Sequence, residues 1–203
     1  LAAKVSARHD RLDVLVNNAA VGFGPPGAAR ELSADGYELR LAVNYLAPVV
    51  LTRRLLPLLR RGAPARVVNV ASVGQAPVDF DDLMLRRRYS GIEAYRRAKL
   101  ALIAYTFDLA AELDPAQVTV NCLHPGTLMP TTMVRQAQYA PRDSLEQGLR
   151  ATRRLVDDLE LAGVTGRYFD GLREARAHEL AYDPEFRARL REVTAALIAP
   201  DRP

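Results

Sequence analysis

Three short apolar runs punctuate the chain, each closed by turn-forming residues. Leu12-Asp13-Val14-Leu15-Val16 ends at Asn17-Asn18, Arg66-Val67-Val68-Asn69-Val70 ends at Ala71-Ser72, and Val118 to Leu123 ends at His124-Pro125-Gly126. Brief and rich in Val and Leu, they read as strands buried on both faces. A weaker fourth is Arg167-Tyr168-Phe169-Asp170, closed by Gly171. Between them the apolar positions recur at helical spacing. Ser33 caps an expected helix from about Ala34 to Arg60, with Leu39, Val43, Leu46, Val50 and Leu55 on one stripe disturbed by Pro48 and Pro57. Ser90 caps the next, from Ile92 to Leu113, stopped by Asp114-Pro115. A third covers part of Leu145 to Leu159, and Asp183-Pro184 opens a last one toward Ile198. The glycine- and proline-rich Val21 to Ala29 and the stretch from Gly74 to Tyr89 read as loops. Strands alternating with helices predict an α/β fold with a mostly parallel sheet.

Composition narrows this picture. With 203 residues, 49% hydrophobic and 26% charged, the chain can bury the core of a single domain. No apolar run reaches the roughly 18 residues of a membrane span. The start, Leu1-Ala2-Ala3-Lys4-Val5, lacks the pattern of a secretory signal, and the lone Cys122 can form neither an internal disulfide nor a zinc cluster, so a cytoplasmic location is expected. The net charge of +4 is an arginine effect, since Lys4 and Lys99 are the only lysines among 28 basic residues. Those arginines are interleaved with acids, as in Arg173-Glu174-Ala175-Arg176, and Arg86-Arg87-Arg88 lacks an aromatic stacking platform; nucleic-acid binding is not expected. Asp79, Asp81 and Asp82 lack a partnered ligand set and read as a polar loop, not a metal site.

In open α/β sheets ligands bind beyond the carboxyl ends of the strands. There the sequence places Asn17-Asn18-Ala19-Ala20, Ser72 and Pro125-Gly126-Thr127. The helix after Ser90 adds Tyr95 and Lys99 at i and i+4, on one face. A free phenol titrates near 10 and is a poor acid-base catalyst at neutral pH, whereas a neighbouring ammonium favours the phenolate. Ser72 offers a hydroxyl to a substrate oxygen on which charge develops.

These motifs together resemble the short-chain dehydrogenase/reductase family. Asn17-Asn18-Ala19-Ala20 stands for the family's Asn-Asn-Ala-Gly, followed in order by Asn44 in Ala42-Val43-Asn44-Tyr45, Ser72, Tyr95-x-x-x-Lys99 and Pro125-Gly126. The resemblance implies a Rossmann-type doubly wound parallel sheet and an NAD(P)-dependent oxidoreductase, with NADP or NAD as cofactor. It implies Tyr95 as general acid/base, Lys99 lowering its pKa and holding the nicotinamide ribose, Ser72 orienting the carbonyl, and Asn44 positioning a relay water. Asn17 and Ala19 would line the adenosine side, and Pro125, Gly126, Thr127 and Leu128 would pass the nicotinamide. The 23-residue spacing from Ser72 to Tyr95, His124-Pro125-Gly126 and Arg167-Tyr168-Phe169 resemble the retinol-dehydrogenase-like subgroup, implying a lipophilic carbonyl or alcohol substrate and leaving room for a homo-oligomer.

The family's opening strand and Thr-Gly-x-x-x-Gly-x-Gly turn have no counterpart here, and Gly22-Phe23-Gly24 lies elsewhere. The chain is therefore expected to be a single domain, 1–203, incomplete at its N-terminus by about a third of a family domain, with Leu12 to Val16 exposed on one sheet edge. The alternative reading is a truncated or non-catalytic relative acting through protein contacts. His9, His124, His178 and Cys122 carry no expected chemistry.

Overall fold

The computed structural model describes residues 1–199. A five-stranded sheet runs in the order β1 (Val14–Asn17), β2 (Ala65–Val70), β3 (Val118–His124), β4 (Tyr168–Asp170) and β5 (Arg173–Ala175). The first four strands are parallel, in the register Val14 to Arg66, Ala65 to Val118 and Cys122 to Tyr168; β5 returns antiparallel to β4, pairing Ala175 with Tyr168. The four strands expected from the sequence are present. β5 was not expected, because Arg-Glu-Ala is too short and polar to announce a strand.

Alternation along the strands sorts the core into two layers. Val67, Val120, Cys122 and Tyr168 join one apolar cluster, while Val68, Val70, Leu123 and Phe169 join another on the opposite face. Against the first face lie α3 (Ala47–Arg61), α4 (Gly91–Glu112) and α7 (Pro184–Ile198); against the second lies α6 (Leu145–Asp157), through Ala151 and Leu155. Helices on both faces of a parallel sheet make this the Rossmann-type doubly wound arrangement. α4 is buried almost all round from Ala98 to Ala110, as a helix must be when it is packed between sheet and neighbouring helices. The short α1 (Ala2–Ser6) packs on α3 through Ala2, Leu55 and Leu58.

The helix expected from Ala34 begins later. Gly36 takes φ +80°, Gly36 N–H donates to the Ser33 carbonyl and Tyr37 N–H to Ser33 Oγ, so Ser33 closes a turn instead of capping a helix. Helix starts at α2 (Leu39–Leu41), where the Glu38 carboxylate accepts from Leu41 N–H at 2.8 Å. It continues through a π-helical turn, Ala42–Leu46, into α3, with Ala47 N–H reaching back to the Ala42 carbonyl. Pro48 lies inside this continuous helix directly after the π-helical turn, where the regular i→i−4 ladder is already interrupted.

Among the described residues β1 pairs only with β2, and Val16 is 38% exposed on that edge. No helix among them is long and apolar enough to cross a membrane.

Candidate active site

A cleft of about 680 Å³ opens beyond the carboxyl ends of β1, β2 and β3. Asn18, Ala19 and Ala20 enter from the end of β1, Ser72 to Gly74 from β2, and His124 to Met129 from β3; Tyr95 and Lys99 face it from α4. The remaining wall comes from Phe23 and from the segment around α5 (Thr132–Gln136), with Met133 and Tyr139.

Ser72 and Tyr95 both line the cleft, and the serine hydroxyl acts on the phenol in the direction that favours its ionised form. Ser72 Oγ accepts from Gly74 N–H at 3.0 Å, which leaves its own proton to donate toward a bound oxygen. The Ser72 carbonyl is fixed by Tyr168 Oη at 3.3 Å and Gln75 Nε2 at 3.0 Å. The serine is therefore held from its own loop and from β4.

Lys99 is only 3% exposed, and its Nζ donates to the Val70 carbonyl at 2.7 Å while lying 5.6 Å from the centroid of the Tyr95 ring. Burial pulls its pKa down from 10.5 to about 8, so the ammonium persists at neutral pH at a desolvation cost. The Tyr95 phenol goes the other way from expectation. Burial holds it above its ordinary value, and the neighbouring Ser72 hydroxyl, which favours the ionised form, offsets only part of that.

Two expected cofactor or relay residues lie outside the cleft wall. Asn17 is the last residue of β1 and turns toward the helices, donating to Thr52 Oγ1 at 2.9 Å and Asn69 Oδ1 at 2.7 Å; Asn69 in turn donates to Thr106 Oγ1 at 2.9 Å. This network ties β1 and β2 to α3 and α4, because each buried amide needs partners. Asn44 sits in the π-helical turn and clasps one backbone residue, accepting from Val21 N–H and donating to the Val21 carbonyl, both at 2.8 Å. Ser72, Tyr95, Lys99, Ala19, Pro125, Gly126, Thr127 and Leu128 all line the cleft.

The clasp has a partner. Arg40, 1% exposed, donates from Nε to the Gly22 carbonyl at 2.9 Å and from Nη1 to Tyr89 Oη at 2.7 Å, with Glu38 Oε1 at 3.5 Å. Val21 and Gly22 are thus pinned, and Phe23 is set edge-to-face on Tyr95, ring centroids 5.5 Å apart. Across the cleft, Leu128 adopts φ +50°, a strained angle for a branched side chain. Asp143 Oδ2 accepts from Thr127 N–H at 2.5 Å, Asp143 N–H donates to the Thr127 carbonyl and Arg142 N–H to that of Leu128. These bonds close the excursion between Leu128 and Arg142 at its base. Phe23 and Met129 escaped the sequence reading because they sit on segments without periodicity, whereas Met133 and Tyr139 lie in the Met133 to Glu146 segment expected on the substrate side.

Residues 1–141 match the short chain dehydrogenase family. The chain belongs to that family. Retinol dehydrogenase 13 of Homo sapiens is 33% identical over 219 residues, covering 100% of this chain and 65% of that protein, which sets this short-chain dehydrogenase with the retinol-dehydrogenase-like members. The chain thus spans just under two thirds of that relative's length. Among solved structures, an uncharacterized protein from Mycobacterium paratuberculosis superposes with a TM-score of 0.71 at 24% identity, over 97% of this chain and 70% of that one. The NADP active-site complex of Pseudomonas aeruginosa RhlG gives 0.58 at 27% identity, over 83% and 68%.

Whether these residues suit a nicotinamide cofactor can be tested on Lys99. An ammonium has three donors, and Val70 accepts one, so a buried cation at the cleft wall has N–H groups to offer the hydroxyls of a ribose. With Pro125, Gly126 and Thr127 beside it, the wall fits the nicotinamide-ribose half. The chain has no glycine-rich turn for a diphosphate.

Proposed function

We propose that this chain carries the catalytic part of an oxidoreductase that interconverts a carbonyl and an alcohol with a nicotinamide cofactor, NADP or NAD. The observation that carries the reading is the convergence of Ser72 and Tyr95 on one cleft wall with the Lys99 ammonium 5.6 Å from the centroid of the tyrosine ring. When bound, the nicotinamide supplies or accepts the hydride.

The chain's own residues do the rest. Ser72 donates a hydrogen bond to the substrate oxygen and holds it beside Tyr95. In the reducing direction Tyr95 gives its proton to that oxygen as the alcohol forms, and in the oxidising direction it takes the proton back. Lys99, fixed by the Val70 carbonyl, holds the ribose hydroxyls. Pro125, Gly126, Thr127 and Leu128 form the wall on which the nicotinamide would rest, with Ala19 at the far end. Phe23, Ile92, Met129, Met133 and Tyr139 give the cleft an apolar side, which supports a lipophilic substrate.

The test is turnover of a panel of aldehydes and ketones with NADPH and NADH. Tyr95→Phe, which keeps the ring on Phe23 and removes the transferable proton, is expected to lower kcat by about 10² or more. Equal turnover in the variant overturns the proton-transfer role.

A further inference from the structure

Met129 lines the cleft, yet its side chain is seated on two glycines. A Cβ built at Gly148, buried in α6, would stand 2.2 Å from Met129 Sδ and 3.1 Å from its Cε, and one at Gly126 would stand 3.4 Å from Met129 Cγ. Pro125 closes the remaining side, 3.7 Å from the same Gly148 position. The thioether therefore occupies volume that any other residue at 148 would claim, and the cleft that Met129 lines is open space into which it could withdraw. A similar joint stands elsewhere in the cleft wall, where a Cβ at Gly22 would lie 2.3 Å from Met133 Cγ.

We propose that Gly148 is a specificity-determining residue: by letting Met129 lie back against α6 it sets the largest substrate the cleft admits. Methionine suits this joint because three rotatable bonds let it refill space that a branched side chain would block rigidly. The strained Leu128 fixes where the seat begins, and Thr131 N–H donating to the Met129 carbonyl at 2.6 Å fixes the backbone beyond it. The substrate's bulk is thus limited by a residue in a helix that touches no substrate. This inference rests on the cleft being the substrate site.

The test is a ligand-observed NMR titration of the chain with two alcohols that differ in length, benzyl alcohol and 4-biphenylmethanol. Gly148→Ala replaces a glycine inside a helix with the best helix former, so the backbone gains while Met129 is displaced. Binding of 4-biphenylmethanol is expected to weaken about tenfold, the cost of overpacking by one methyl, with benzyl alcohol held within about twofold. Adding Met129→Ala to Gly148→Ala is expected to restore 4-biphenylmethanol to within about twofold of the parent. Equal losses for both alcohols, no loss in Gly148→Ala, or no rescue in the double variant overturns the proposal while leaving the cleft as a substrate site. If neither alcohol binds the parent chain, the proposal and the reading of the cleft fall together.

Discussion

The two walls of the cleft are built on opposite principles. On the side of Val21 to Phe23, the backbone is tied down by buried side chains from helices: Asn44 holds Val21 twice, and Arg40, itself held by Tyr89 and Glu38, takes the Gly22 carbonyl. On the side of Leu128 to Arg142, the hydrogen bonds to the rest of the described molecule lie at the base, through Thr127, Leu128, Arg142 and Asp143, while Met129, Met133 and Tyr139 meet α6, Gly22 and Phe23 through side-chain contact alone. The first wall is held by buried polar side chains; the second by side-chain packing above a hydrogen-bonded base.

Breaking the pinned wall should cost most. Arg40→Met removes a buried cation and leaves the Glu38 carboxylate buried beside Tyr89, so unfolding in denaturant should show a loss of about 3 kcal/mol. A loss below about 1 kcal/mol would mean that the wall is held by packing instead. The next effect comes from Lys99. Its pKa is about 8 in the folded chain and near 10.4 when unfolded, so between these values the unfolded chain holds more protons and stability rises with pH. Stability should climb by about 2 kcal/mol from pH 8 to pH 10, the cost of the buried charge being present in full below pH 8. Lys99→Met should abolish that climb, and a pH profile unchanged by the substitution would contradict the burial. Smallest is Asp143→Ala, which cuts the tie at the base of the second wall. Global stability should fall by about 1 kcal/mol. Amide hydrogen exchange at Thr127 should accelerate while that of Val21 stays put, and equal acceleration at both would erase the contrast between the walls.

How much of this was legible in the sequence follows the same division. β2 and β3 could be read almost to the residue, because burial on both faces leaves short runs rich in Val closed by turn residues, and Tyr95 and Lys99 because i and i+4 share a helical face. Ser33 misled because its capping chemistry serves a turn equally well, and only the left-handed Gly36 decides between them. Asn17 and Asn44 were recognised as special, but their sequence positions do not announce the partners their amides find, the side chains of Thr52 and Asn69 for Asn17 and the backbone of Val21 for Asn44. The expected depression of the Tyr95 pKa failed because proximity along a helix says nothing about desolvation. Met129 carries no local signal, and Gly148, the glycine beneath its sulfur, lies in the distant α6.

The hydrogen bonds between Thr127 and Asp143 hold the ends of the stretch they enclose side by side, so a loop of different length or composition could be spliced between them with β3 in place, exchanging only its side-chain contacts with Gly22, Phe23 and α6. Substrate range and chemical step can then diverge independently, the excursion serving as an exchangeable cassette on a scaffold whose reactive atoms stay where they are.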